Sequence, residues 1–211
     1  MWLSKFGRQW VARPLAAVVN TLHRWGVTPN MVTYLGFALT VVTAVVLGSG
    51  HFVWGGVLLL GASLLDLVDG SLARATKQSS TFGAFLDSTL DRYSESVTFL
   101  ALAWYYATTG SAQWQIVFVF LTIIGSMMVS YTRARAEGLN IECKEGLMQR
   151  PERIALLIFG LLTGWMLPVL IIMAALTNFT AVQRIYQVYW KIQQNEQLHA
   201  QLLSPKDKQP A

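Results

Sequence analysis

Cysteine is almost missing: Cys143 is the only one in 211 residues. That excludes an internal disulfide and any thiolate-rich metal site. Histidine is nearly as sparse, and His23, His51 and His199 share no partner spacing, so the chain offers no imidazole pair for metal or acid–base chemistry. Charged residues make up only 13% of the chain, against 54% apolar, and tryptophan occurs eight times. Such a balance excludes an ordinary soluble domain and fits a chain that crosses a membrane several times. Lys5, Arg8 and Arg13 are followed by no apolar stretch closed by small residues, so a cleavable signal peptide is not expected.

What the chain does have is a succession of apolar runs. Residues 1–26 read as an amphipathic helix lying in the headgroup plane, with Trp2, Leu3, Phe6 and Trp10 toward the lipid and Lys5 and Arg8 at other angles. Gly26 breaks this segment; Thr28 can cap the next helix, and Pro29 fits its first turn. Spans are expected over Val32–Gly48, Phe52–Arg74, Phe82–Ala107, Trp114–Arg133, Pro151–Gly164 and Pro168–Trp190. The fifth is short for a hydrocarbon core of about 30 Å. The fold class is therefore an all-α integral membrane protein: an interfacial helix (1–26), a six-helix membrane domain (27–193) and a polar tail (194–211) expected to fray. The loops Gly48–His51, Thr108–Gln113 and Gly164–Leu167 contain no Lys or Arg, so all sixteen cationic residues fall on the other side with both termini. By the positive-inside rule that side is cytoplasmic.

Four of the eleven acidic residues, Asp66, Asp69, Asp87 and Asp91, are concentrated at that face. On a helix, Asp66 and Asp69 (i, i+3) share one side, and Asp87 and Asp91 (i, i+4) share another. The polar stretch Thr76–Thr81 gives room to turn, so antiparallel helices would bring all four carboxylates together. Their mutual repulsion calls for one or two divalent cations. Helix capping is the plainer alternative, but caps need one acidic residue per helix and not two on one side. Gly70 and Gly83 let a substrate approach the backbone, Ala73 keeps the same side narrow, and Arg74 offers a cation to a pyrophosphate or a polar ring edge.

The full pattern, D-x2-D-G-x2-A-R-x8-G-x3-D-x3-D from Asp66 to Asp91, resembles the motif of the CDP-alcohol phosphotransferases, with every fixed position filled. The resemblance implies that Asp66, Asp69, Asp87 and Asp91 ligate two Mg²⁺ or Mn²⁺ ions, and that Asp91 also takes the proton from the attacking hydroxyl. It implies a CDP-lipid site formed by Gly70, Ala73, Arg74, Ser80 and Gly83, bordered by Pro29, Asn30, Met31 and Val32. A second set of motifs, Ser130–Glu137 with Arg150-Pro151-Glu152-Arg153 and Val182-Gln183-Arg184, is similar to the subgroup that transfers to inositol 1-phosphate. By carry-over, Arg133, Arg153 and Arg184 would bind the acceptor phosphate; position 133 is Arg where many bacterial members have Lys.

The resemblance thus implies a homodimeric enzyme of the cytoplasmic membrane that moves the phosphatidyl group of CDP-diacylglycerol, or of its ether analogue, to inositol 1-phosphate. CMP would be released, and nucleic acid is not among the expected partners. Glycerol 3-phosphate is the alternative acceptor, although R-P-E-R and the Asp87–Arg92 context lie nearer the inositol group. A divalent-cation transporter is an alternative of another class. It leaves Arg74, Arg133, Arg153 and Arg184 unexplained, because these cations would oppose the permeant ion.

Overall fold

The structure, a computed structural model, describes residues 16–76, 78, 80–110, 113–143 and 145–203, with side chains as far as residue 197. Residues 1–15, most of the expected interfacial helix, lie outside the described residues. A short helix α1 occupies 16–24. It is followed by α2 (Pro29–Gly48), α3 (Phe52–Thr76), α4 (Thr81–Thr109), α5 (Gln113–Glu137), α6 (Arg150–Thr163) and α7 (Met166–Leu203).

Local chemistry explains where these helices start and stop. Thr28 caps α2, accepting from the Met31 amide at 3.4 Å, and Pro29 sits in the first turn, where no amide hydrogen is needed. Ser80 caps α4 by accepting from the Gly83 amide at 2.9 Å. Gly110 and Gly164 end α4 and α6 with φ of 69° and 78°, a left-handed conformation that suits glycine. α7 runs on to Leu203 where the sequence suggested fraying after Gln193. Its polar end is rich in Gln, Glu and Leu, all good helix formers.

Four helices, α2, α3, α5 and α7, are long and apolar enough to cross a membrane. α6 has only 14 residues, and Asp87, Asp91, Arg92 and Glu95 interrupt the apolar character of α4. Among the described residues the six long elements close a ring: α2 packs on α3, α3 on α6, α6 on α7, α7 on α5, α5 on α4, and α4 back on α2. Leu47, Phe99, Leu102, Val119, Leu161, Leu170 and Met173 fill its centre. Val19 of α1 joins Val32, Val68 and Leu72 in a separate small cluster, which seats α1 on α2 and α3. Cys143 is buried, 2% exposed.

Candidate active site

α3 and α4, which carry the four aspartates, do not pack on each other among the described residues; α2 packs on both. They form two walls of a cleft with α2 as the floor. Gly36 brings α2 close to α3, since a Cβ there would lie 3.4 Å from Asp66 Oδ1. Three residues earlier on α2, Thr33 Oγ1 donates to Asp69 Oδ2 at 2.7 Å and fixes that buried carboxylate, 5% exposed.

One end of the cleft is a cavity of about 200 Å³ lined by Pro29, Asn30, Thr33, Asp69, Gly70, Ala73, Arg74, Gln78, Ser80, Gly83, Ala84 and Asp87. Most of the residues expected at a CDP-lipid site therefore surround one space. Two of them do not: Val32 is buried in the α1–α3 cluster, and Met31 is exposed outside the lining. Four consecutive residues of a helix point in four directions, and only Pro29 and Asn30 point inward. Gly83 is needed here, because a Cβ would stand 2.9 Å from Ser80 Oγ and 3.2 Å from Asn30 Oδ1. Arg74 reaches Ser71 Oγ at 3.2 Å and lines the same space.

On the other side of α4 lies a larger cavity of about 710 Å³, with Asp87, Ser88, Asp91, Arg92, Ser130, Tyr131, Arg133, Glu137 and Arg150 in its walls. Asp87 borders both cavities. Of the three arginines expected to hold an acceptor phosphate, only Arg133 reaches this space, where it pairs with Glu137 at 2.8 Å. Arg153 is 3% exposed: Nε and Nη2 grip Glu95 at 2.6 and 3.0 Å, and Nη1 donates to Met148 O at 3.1 Å. It lines a much smaller cavity, about 30 Å³, beneath Asp66 and Asp91. Arg184, also 3% exposed, donates to the carbonyls of Glu145 and Val129.

Asp66 and Asp91 are joined by Arg150, the first residue of R-P-E-R, which is not among the arginines expected to bind a substrate. Arg150 Nη2 lies 2.5 Å from Asp66 Oδ2 and 2.8 Å from Asp91 Oδ1, while Arg92 approaches Asp91 Oδ2 at 3.4 Å. Burial works against the Arg150 charge, but Asp91, Asp66 and Asp87 more than offset it and hold its pKa above the ordinary arginine value. The pairing of Arg153 with Glu95 was equally hidden. Its one sequence signal is that Asp87, Asp91 and Glu95 recur every four residues, on one side of α4.

The donor set suits a hard divalent cation, being all oxygen. As the side chains stand, no three acidic, histidine or cysteine residues among those described converge on one point. A cationic nitrogen already sits between Asp66 and Asp91, however, so the two walls can share a positive centre. Chemically, Asp66, Asp69, Asp87 and Asp91 fit the expected metal.

Known proteins share this architecture and sequence. An archaetidylinositol phosphate synthase of Pyrococcus horikoshii is 37% identical over 88% of this chain and 95% of its own. A phosphatidylinositol phosphate synthase of Mycobacteroides abscessus is 36% identical over 71% and 67%. The crystal structure of Mycobacterium tuberculosis phosphatidylinositol phosphate synthase with CDP-DAG bound superposes with a TM-score of 0.79 at 28% identity, covering 84% of this chain and 94% of that one. The same enzyme has been solved in complex with manganese and citrate, with a TM-score of 0.76 at 27% identity over 83% and 88% of the two chains. Residues 26–188 match the family model described as CDP-alcohol phosphatidyltransferase, and with the acidic cleft and its two cavities in view, this chain is a member of that family.

Proposed function

We propose that this enzyme transfers the phosphatidyl group of CDP-diacylglycerol, or of its ether analogue, to inositol 1-phosphate. One observation carries the reading: a cavity lined by most of the expected CDP residues and a larger cavity lined by arginines and Asp91 share Asp87 as their border. The first suits a nucleotide diphosphate between Arg74 and the narrow Gly70–Ala73 and Gly83 surfaces. The second suits a dianionic phosphate held by Arg133, with Arg153 and Arg184 nearby in support. Bound to Asp66, Asp69, Asp87 and Asp91, two Mg²⁺ or Mn²⁺ ions would supply charge neutralisation at the reacting phosphates. Asp91 takes the proton of the inositol hydroxyl, whose oxygen bonds to the lipid-bearing β-phosphate as the bond to CMP breaks. Ser80 and Asn30 shape the donor end, and Thr33 keeps Asp69 oriented. The names borne by the relatives, from both archaeal and bacterial enzymes, support an inositol phosphate acceptor while leaving the lipid chains ester- or ether-linked.

The test is CMP release from CDP-diacylglycerol by the purified protein with Mg²⁺ and a panel of alcohols. Inositol 1-phosphate should be the best acceptor, with free inositol far behind. Efficient turnover of free inositol, or a preference for glycerol 3-phosphate, would refute the acceptor while sparing the family.

The same reading has the protein cross the cytoplasmic membrane six times as a homodimer, with the acidic cleft facing the cytoplasm. Single cysteines at the exposed positions Ser49 and Thr109, in a Cys143→Ser background, should then react with an impermeant thiol reagent in intact cells. Labelling seen only after lysis would reverse or break this topology.

A further inference from the structure

We infer that Arg150 competes with the divalent cation for Asp66 and Asp91, as a built-in counter-ion that must withdraw before the metal site assembles. The inference rests on the metal-ligand reading above. Its first support is atomic: one nitrogen, Nη2, makes both contacts, at 2.5 Å to Asp66 Oδ2 and 2.8 Å to Asp91 Oδ1. It bridges carboxylates from two different helices, as a metal ion would have to.

The second support comes from packing. The backbones of α3 and α4 stay apart among the described residues, each packed on α2, with Leu59 of α3 sharing the central core with Phe99 and Leu102 of α4, so a packed frame holds the two carboxylates on separate walls. Arg150 reaches them from a third helix, α6, whose first turn is anchored by the buried grip of Arg153 on Glu95. The base of Arg150 is thus fixed while its long stem keeps alternatives. It already lines the cavity of about 710 Å³ beside Arg92 and Arg133, where an anionic acceptor would receive it.

Competition for shared atoms is reciprocal: whatever the cation loses to Arg150, Arg150 loses to the cation. A guanidinium that merely lay near the site would weaken cation binding through its field alone. Arg92, which makes a single 3.4 Å contact with Asp91, therefore serves as the control for proximity without bridging.

The experiment is Mn²⁺ titration of the full-length protein in detergent, with free Mn²⁺ read by electron paramagnetic resonance. Arg150→Gln should tighten the Kd about tenfold, within the usual coupling range of roughly 5- to 150-fold. Arg92→Gln should change it by less than about threefold, as expected of a solvent-screened neighbour. Arg150→Lys retains a charge but has a shorter stem with a single nitrogen, and should tighten the Kd by at least about fivefold. It decides the matter alone if Arg150→Gln does not fold. Equal tightening by Arg150→Gln and Arg92→Gln, or none by either Arg150 variant, would overturn the competition. Asp66→Asn separates the two readings. If it weakens Mn²⁺ binding while the Arg150 variants leave it alone, only this inference falls. If Asp66→Asn leaves binding unchanged, the inference and the metal-ligand assignment fall together.

Discussion

Asp91→Asn is expected to lower turnover by about 10³-fold under saturating Mg²⁺, within the 10²–10⁴ range associated with losing a positioned general base. Asp91 stands beside the larger cavity with a side chain only 12% exposed, where an acceptor hydroxyl would meet a donor phosphate. Asparagine keeps the shape, and its amide oxygen can still serve as a weak metal ligand, so the loss isolates the proton-accepting role. Asp66→Ala, Asp69→Ala and Asp87→Ala should also abolish activity, because each carboxylate taken away leaves a cation site incomplete. Steady-state CMP release measures all four. A rate for Asp91→Asn above a tenth of wild type would remove Asp91 as the base and leave its metal-binding role standing.

Glu95→Ala should produce the largest loss of stability. It strands the Arg153 guanidinium, 3% exposed, without its carboxylate partner, and breaking one side of a buried ion pair costs about 3–5 kcal/mol. For a chain of this size that lowers Tm by on the order of 10 °C. Replacing both partners with apolar residues, Glu95→Leu with Arg153→Met, should recover most of the melting temperature, because no charge then stays buried alone. Activity should not recover with it. If Arg153 also contributes to an acceptor phosphate, losing a contact of about 1.5–3 kcal/mol raises KM for inositol 1-phosphate roughly ten- to a hundredfold. KM for the CDP-lipid should change little. A double variant restored in both Tm and acceptor KM would make Arg153 a strut for α6 and nothing more.

These two positions mark how far the sequence could be read. Helix starts at Pro29, Thr81 and Arg150 lie within three residues of expectation, since proline and hydroxyl caps act locally. Helical spacing alone puts Asp66 with Asp69, and Asp87 with Asp91, on one side of each helix. Whether the four carboxylates meet depends on the neighbouring helices, and among the described residues no three of them converge on one point. What stayed hidden depended on distant partners. Nothing in R-P-E-R distinguishes Arg150, which reaches back 84 positions to Asp66, from Arg153, which grips Glu95 across 58. Both look like cations at the end of a span. Nor could the sequence tell that Arg184 would be consumed by two carbonyls, or that Cys143 would be buried, since a 12-residue connection between α5 and α6 folds back on the bundle. Met31 and Val32 show the opposite error, in which a contiguous motif is taken as a contiguous surface.

The separation of the two cavities by α4 also bears on the order of events. The two spaces share Asp87 as a common border. On the proposed assignment, a nucleotide beside Arg74 would leave the space next to Arg133 open, and an acceptor there would leave the nucleotide free to depart. That assignment would favour a ternary complex reached by either route over a ping-pong cycle in which the lipid is parked on the protein. The leaving nucleotide and the arriving alcohol would then not have to pass each other.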